Sequence, residues 1–394
     1  MRENGGARVA KKRVALIGAT GSVGSSVLDV CRAHGDRLEV AALAAGRDVE
    51  GLARLGTEFG TPFLCLADEK AAEVLSEKLS GRAAVLRGIS GLSEIALTPS
   101  IDHVVFASSG TAAIGALQDA LRAGKEVSLA NKESVVVGGP WVMPLVRARD
   151  QLRPLDSEHN AIWQCLHGET EKPRKIYLTA SGGPFRDWGP EELKNVTPEM
   201  ALKHPVWSMG AKITVDSATL MNKGIELIEA MFLFGLGAHQ VEALVSPGSF
   251  VHGLAEFEDG SVKMLAGAPD MRLPAASCLF WPERLPPQPN FPRPELPTRR
   301  VVFDLADEER FPALRLAKEA ATLGGAYPAL LVGADETAVN CFLKGEIPFM
   351  AIPEVVEATM ESYGDKCPHS LDEALEVLNW ARRKGQDLVA RDFR

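Results

Sequence analysis

The chain has no paired cysteines. Cys31, Cys65, Cys165, Cys278, Cys341 and Cys367 are scattered without a CxxC spacing, so neither a zinc site nor a disulfide framework is indicated, and six reduced thiols point to the cytoplasm. It has no apolar run approaching the about 18 residues of a membrane-spanning helix. Residues 1–12 are polar, lack an apolar core and read as a flexible tail rather than a secretory signal. It has no basic excess either: a net charge of −9 argues against nucleic-acid binding, although a single basic pocket could still recognise a phosphate. No repeat or low-complexity array is evident. What is present, 46% hydrophobic and 24% charged residues over 394 positions, is too long for one ordinary core, so two or three domains are expected.

Order is expected from residue 13. Arg13 to Ile17 is a short apolar strand that runs into GATGSVG (18–24) and then a helical pattern. Glycines at 18, 21 and 24 permit a tight turn and close backbone approach, and the free N–H groups of the following helix suit a pyrophosphate, with Thr20, Gly21, Ser22 and Val23 as the contacts. The second strand, 38–43, ends at Gly46, Arg47 and Asp48, where such proteins read the adenosine ribose. A cation there accommodates the additional phosphate of NADPH, whereas an acid alone favours NAD, so Arg47 and Asp48 point in opposite directions; an ordinary solvated surface charge is the plain alternative for Arg47. Further strands near 62–66, 102–107 and 126–130 alternate with helices near 69–79, 111–123 and 134–148, which implies a mostly parallel sheet covered by helices.

Beyond this alternation lie polar clusters. RPLDSEHN (153–160) puts Asp156 and Glu158 two residues apart where a strand ends, so that an extended chain would turn both carboxylates to one cation. The plain alternative is a helix N-cap at Asp156 or Ser157. Glu226 follows Asn222 by one helical turn, which lets Asn222 and Lys223 face a ligand while Glu226 faces the cation. Three carboxylates form an all-oxygen set, suited to magnesium or manganese, with cobalt as a further option, rather than to zinc. Ser181 opens a Gly-Gly-Pro turn, and Ser217, Asn222 and Lys223 flank an expected helix start at 218–226; together these groups suit a phosphate monoester better than isolated caps would. The segment 203–210, KHPVWSMG, has no period and is bounded by proline and glycine, so Trp207 is either a lid face or a partly buried anchor.

In their order and separation, GATGSVG, NKES (131–134), the DSE triplet, SGGPFR (181–186), HPVWSMG and VDSATLMNKGIE (215–226) resemble the 1-deoxy-D-xylulose 5-phosphate reductoisomerase family, the NADPH enzymes of the methylerythritol phosphate route to isoprenoids. The resemblance runs from about Val14 into the C-terminal region. It implies a metal- and NADPH-dependent enzyme acting on a small phosphorylated sugar, and a homodimer. It implies further that Asn131 and Glu133 touch the cofactor, with Gly210 near it and Met271, in GAPDMR (267–272), an apolar contact near its nicotinamide end. On the same ground Lys132, Ser157 and His204 meet the substrate, and 203–210 is the lid, with Trp207 over the ligand. Two stretches depart from the family pattern: SPGS (246–249) where HPQS is common, with His252 retained nearby, and GADE (333–336) where AANE is common.

The expected fold class is therefore α/β: a Rossmann-like NADPH-binding domain at 13–155, a central α+β catalytic domain at 156–281, a Pro-rich linker at 282–311 and a small helical domain at 312–394. Two other functions stay open at this point. An ordinary NAD(P)-dependent dehydrogenase would need a His or Lys proton donor in place of the carboxylates, and a silent NADPH-binding regulator would be expected to have lost a carboxylate or Lys223.

Overall fold

The computed structural model of the chain describes residues 10–207, 209–285, 291, 293–294, 296, 300–364 and 366–392. They form two compact units. The first comprises Met1–Asn131, Leu145–Leu155 and Met271–Phe291. Its seven strands are β1 (Lys12–Ile17), β2 (Leu38–Ala45), β3 (Phe63–Leu66), β4 (Ala84–Arg87), β5 (His103–Phe106), β6 (Glu126–Leu129) and β7 (Leu152–Pro154). Every neighbouring pair is parallel, in the order β4-β3-β2-β1-β5-β6-β7. Successive strands are added to one side from β1 to β4 and to the other from β5 to β7, so the strand order reverses between β1 and β5, and ligands of such sheets bind beyond the carboxyl ends at that switch point. The inner strands are almost wholly apolar because helices cover both faces.

The second unit comprises Lys132–Pro144, Asp156–Asp270 and Pro292–Arg394. Its sheet has the order β11-β10-β8-β9-β12, from β8 (Lys175–Ala180), β9 (Val241–Val245), β10 (Val251–Glu256), β11 (Val262–Ala266) and β12 (Asp304–Leu305). Only β8 and β9 run parallel. Ile176 and Leu178 of β8 meet Ile225, Leu227 and Ile228 of the helix Met221–Phe234 in one core, which continues into the helices Pro312–Leu323, Tyr327–Leu343, Ala351–Glu361 and Leu371–Asp392.

The α/β class, the first sheet and the terminal helices agree with the sequence, whereas the compact units depart from the expected boundaries in three places. The helix Arg272–Phe280 packs Ala275, Cys278 and Leu279 into the first core, although 156–281 was expected to stay together. Residues 132–144 pack Val136 and Val137 into the second core, and the single helix expected at 134–148 is two short turns, Glu133–Val136 and Gly139–Val142, interrupted at Val137 and Gly138 just before Pro140 in the first turn of the second. The terminal helices share a core with the catalytic elements instead of forming a body of their own. Periodicity shows which face of a helix is apolar but not which core receives it. Much of the expected Pro-rich linker, and the tail up to residue 9, lie outside the described residues; its far end supplies β12. Among the described residues, no helix is long and apolar enough to cross a membrane.

Candidate functional site

The dinucleotide end of the first unit follows from the turn after β1. Gly18 has φ +95°, and a Cβ on it would stand 2.4 Å from the Ala107 carbonyl carbon; one on Gly24 would stand 2.2 Å from the Gly18 oxygen. Only glycine lets the turn, the helix Ser22–Ala33 and the end of β5 come so close. That helix has no side-chain cap at Gly21, so the N–H groups of Ser22 and Val23, beside Thr20, are left to a ligand. Arg47 and Gly46 are exposed just past β2. The Asp48 carboxylate is engaged elsewhere, for it accepts from Gly51 N at 2.9 Å and caps the helix Val49–Phe59. The acid at this position thus caps a helix through one oxygen, beside an exposed Arg47. Arg47→Ala is expected to weaken NADPH by about 1–3 kcal/mol and NADH much less, the loss expected for a hydrogen bond to a charged group; fluorescence titration with both cofactors checks this, and equal losses would show that Arg47 is not the selector.

Asn131 is buried, and its amide donates to Ser108 O at 2.8 Å and Gly110 O at 2.7 Å. It thus shapes the loop after β5 at the switch point. Met271 precedes the helix Arg272–Phe280 in the same unit, whereas Glu133 and Gly210 belong to the second.

The second unit resumes after β7 at Asp156, where the chain turns and enters the helix Ser157–Cys165. The Asp156 carboxylate accepts from Glu158 N at 3.1 Å and His159 N at 3.4 Å, so the residue is the helix cap that the plain alternative proposed. It is also one of three carboxylates that could share a cation: those of Asp156, Glu158 and Glu226 offer oxygens all within 4.8 Å of one another. The two readings are compatible because one Asp156 oxygen serves the cap and the other is turned inward. Glu158 arrives by the first turn of a helix, not by strand alternation. Glu226 comes from the helix Met221–Phe234, where Asn222, expected from the spacing to face a ligand, donates through Nδ2 to Glu226 Oε1 at 2.6 Å across one turn.

Two lysines enter the same cluster. Lys132 Nζ pairs with Asp156 and lies 3.3 Å from Glu226, and Lys223 Nζ pairs with Glu226 and lies 3.9 Å from Glu158. Burial resists charge on all of them, but Lys132 holds the Asp156 carboxyl well below the usual range and Lys223 does so for Glu158. Glu226 is pushed up, by burial and by Asp156, despite Lys223 and Lys132. Three carboxylates against two ammonium groups leave the cluster short of positive charge. Buried, all-oxygen and acidic, it fits a divalent cation of the magnesium or manganese type. Ser157 Oγ donates to Glu158 Oε2 at 2.8 Å, and His252 Nδ1 lies 4.0 Å from Glu158 Oε1.

The anion-binding groups are assembled from two turns. Gly182 (φ +86°) and Gly183 (φ +69°) bend the chain after Ser181, and a Cβ on Gly183 would fall 2.7 Å from Ser217 O, so glycine is what lets the two serine-bearing segments meet. His204 joins them: its Nε2 lies 3.1 Å from Ser181 Oγ and 3.1 Å from Ser217 Oγ. Its Nδ1 accepts from Val206 N at 3.1 Å and Trp207 N at 2.8 Å. Accepting two amides requires Nδ1 to be unprotonated, so Nε2 carries the hydrogen, and burial pushes the imidazole pKa down, which favours the neutral ring. Trp207 faces His252 at 6.5 Å between ring centroids, which links this group to Glu158. Ser217 lies near the end of the helix Ala211–Thr219, not at a helix start; after a left-handed Leu220 (φ +63°) a second helix begins, with Asn222 and Lys223 in its first turn.

Three residues were not singled out from the sequence. His159 Nε2 donates to Glu226 O at 2.9 Å while its Nδ1 lies 3.4 Å from Asp156 and 3.3 Å from Glu229. Glu229, wholly buried, has its pKa raised to about 7, chiefly by that burial. Its place one turn beyond Glu226 was the available signal. Arg310 donates to Arg186 O at 2.9 Å and Trp188 O at 2.8 Å, tying down the turn after Ser181; nothing local in the sequence marks it.

An open dinucleotide turn on a parallel sheet, in one chain with a three-carboxylate cation cluster and convergent anion-binding groups, defines a metal-assisted oxidoreductase for an anionic substrate. Family models described as 1-deoxy-D-xylulose 5-phosphate reductoisomerase match residues 14–139, and models of the C-terminal domains of that enzyme match residues 152–234 and 266–384. The chain belongs to the 1-deoxy-D-xylulose 5-phosphate reductoisomerase family: it is 46% identical over 382 residues to the enzyme of that name from Chlorobaculum tepidum, covering 96% of this chain and 100% of that one. The enzyme of the same name from Pelotomaculum thermopropionicum is 45% identical over 383 residues, covering 96% of this chain and 98% of its own. Among solved structures, the Zymomonas mobilis reductoisomerase in complex with NADPH has a TM-score of 0.88 at 40% identity, covering 97% of this chain and 100% of that one. A reductoisomerase in complex with NADPH, fosmidomycin and magnesium has a TM-score of 0.90 at 35% identity, covering 96% and 98%.

Proposed function

We infer that the protein catalyses the NADPH- and divalent-metal-dependent isomerisation and reduction of 1-deoxy-D-xylulose 5-phosphate to 2-C-methyl-D-erythritol 4-phosphate, a step in isoprenoid precursor biosynthesis. The observation that carries this reading to the residues is the convergence of Asp156, Glu158 and Glu226 on one point. Held there, magnesium or manganese supplies positive charge against which the oxyanions of the rearranging substrate develop, and NADPH supplies the hydride.

The protein's own groups do the rest. Ser181, Ser217, Asn222 and Lys223 hold the phosphate, so that binding energy remote from the reacting carbons fixes their position. His204 presents an N–H to the same oxygens, because its other nitrogen is committed to the amides of Val206 and Trp207. Lys132 and Lys223 balance the carboxylates in this structure, and would be available to substrate anions where a cation held by Asp156, Glu158 and Glu226 supplied that charge instead. Thr20, Gly21, Ser22, Val23, Gly46 and Arg47 bind the dinucleotide in this reading, with Met271, Asn131, Glu133 and Gly210 shaping its surroundings. Trp207 acts as the inner face of a lid at 203–210 that excludes water. Trp207→Ala is expected to lower turnover by about 10- to 100-fold, as misplacement of a bound substrate does, with little change in melting temperature; a loss of roughly 3–5 kcal/mol of stability would mark the ring as a core anchor instead.

A homodimer is part of the proposal, supported by Val262 and Met264 exposed on the edge strand β11, and sedimentation velocity tests it. A cytoplasmic setting is supported by six cysteines that form no disulfide among the described residues, five of them buried. The reaction itself is tested by following NADPH absorbance with 1-deoxyxylulose 5-phosphate, with and without divalent metal. Consumption that requires both is the expected result, and consumption independent of either overturns the assignment.

A further inference from the structure

Outside the cation cluster, the second unit buries another set of charges that the reaction does not use. Lys212 Nζ lies 2.6 Å from Asp216 Oδ2 and 2.5 Å from Asp335 Oδ2. Lys212 and Asp216 sit one turn apart on the helix Ala211–Thr219; Asp335 lies on the helix Tyr327–Leu343 and is wholly buried. The remaining oxygen of each aspartate, Oδ1, has no hydrogen-bond partner among the described residues. The ammonium of Lys212 is therefore the polar tie between the two helices at this point. Asp335 belongs to GADE, one of the two stretches that depart from the family pattern.

What makes this tie matter is its place on the short helix. That helix begins at Gly210, where the lid segment ends, and Thr214 bonds back to Gly210 O through both its amide (3.1 Å) and its hydroxyl (2.8 Å). Asp216 immediately precedes Ser217, whose hydroxyl meets His204. Thr219 Oγ1 donates to Asp216 O at 3.2 Å just before the left-handed Leu220, and Asn222 and Lys223 follow directly. A shift of this helix therefore moves Ser217 and, through the Leu220 elbow, the groups that begin the next helix. Its apolar side, Val215 and Ala218, shares a core with Phe185, Leu193, Phe311, Leu314 and Phe342, which holds the helix by non-directional burial; a charged hydrogen bond adds a directional tie to the neighbouring helix.

We propose that Asp335 is a positioning residue for phosphate recognition: through Lys212 it fixes the helix Ala211–Thr219 so that Ser217 stands at His204 and Ser181. The terminal helices thereby take part in substrate binding without touching substrate. Burial and Asp335 push the Asp216 carboxyl well above its usual range, Glu133 adds to this, and Lys212 opposes it. The proposal rests on Ser217 being a phosphate ligand.

The test uses the full-length protein and inorganic phosphate as probe, by calorimetry, alongside steady-state kinetics. In Asp335→Leu, which keeps the branching and the number of heavy atoms, Lys212 can bond only within its own helix. The phosphate dissociation constant and the substrate KM are expected to rise about tenfold, the effect of losing one hydrogen bond to a charged group, while kcat, NADPH affinity and metal affinity stay within about twofold of the parent. Asp335→Asn still offers Lys212 a carbonyl oxygen and is expected to retain phosphate affinity, which also keeps the test open if the leucine variant folds poorly. Unchanged phosphate affinity in Asp335→Leu overturns the proposal. So does a tenfold loss in Asp335→Asn, or a uniform loss of kcat, NADPH and phosphate affinity that tracks the melting temperature. Ser217→Ala separates the two levels: if it leaves phosphate affinity intact, the assignment of Ser217 is wrong, whereas weakened phosphate in Ser217→Ala beside intact phosphate in Asp335→Leu removes only the role of Asp335.

Discussion

Glu226→Gln is expected to reduce turnover by at least about 10³-fold, the scale of losing electrostatic stabilisation at a developing oxyanion together with a metal ligand. Glu158→Gln should behave in the same way. NADPH binding should be unchanged, because the glycine turn and Arg47 that carry it belong to the other compact unit. Folding should survive. Without metal, burial and Asp156 push the Glu226 carboxyl upward, so the folded state disfavours its charge, and a neutral isostere removes that repulsion. The metal-free variant is therefore expected to melt no lower than the parent, and addition of magnesium, which should stabilise the parent by mass action, should do little for it. Near-parental turnover with unchanged metal dependence would make Glu226 a bystander.

A second large effect is expected on stability, from the first unit. His103 opens β5 with no exposure; its Nδ1 lies 3.1 Å from Glu126 Oε2 and its Nε2 2.7 Å from Ser128 Oγ. A carboxylate can only accept, so Nδ1 carries the hydrogen and Nε2 accepts from the serine, which is the neutral ring. Burial pushes the His103 pKa down to about 4, outweighing Glu126, and Arg153 adds to the depression. The unfolded chain, titrating near 6.5, then binds more protons than the folded one between pH 6.5 and 4. This contribution to stability is complete above pH 6.5 and is lost as pH falls toward 4, by about 3 kcal/mol in full. Glu126, held low by His103 and Lys12 against burial, acts in the same direction at still lower pH. Urea unfolding should show a midpoint that is flat above pH 6.5 and falls below it, and His103→Gln should be less stable at pH 7 yet lose most of that slope. An unchanged slope in the variant would assign the acid sensitivity elsewhere.

Much of this could be read in the sequence, because the chemistry lies in short local patterns. The strand, glycine turn and helix at 13–33 are one such pattern, and the pairing of Asn222 with Glu226 follows from helical geometry alone. The carboxylates were identified for a reason that was only partly correct: Asp156 and Glu158 converge through a capped helix turn, and the cap and cation readings, posed as rivals, are both satisfied. What could not be read depends on long-range choice. The strand β4 and the helix Gly88–Leu97 interrupt a stretch whose apolar period is weak, and Ser217 was placed at a helix start because nothing local marks the left-handed Leu220 that separates two helices. The cap that Asp48 forms on the helix Val49–Phe59 through Gly51 N is likewise unmarked by any local pattern. Arg310, His159 and Lys212 work through partners far off in sequence, and an isolated basic residue carries no sign of that.

The central claim is that one divalent cation is shared by Asp156, Glu158 and Glu226. The most direct measurement is an anomalous difference map from crystals of the protein grown with manganese. One strong peak is predicted within coordinating distance of a carboxylate oxygen from each of the three residues, comparable to the about 2.0–2.1 Å of magnesium–oxygen bonds, with Lys132 and Lys223 turned away from it. A peak elsewhere in the chain, or one that reaches only a single member of the cluster, would contradict the account.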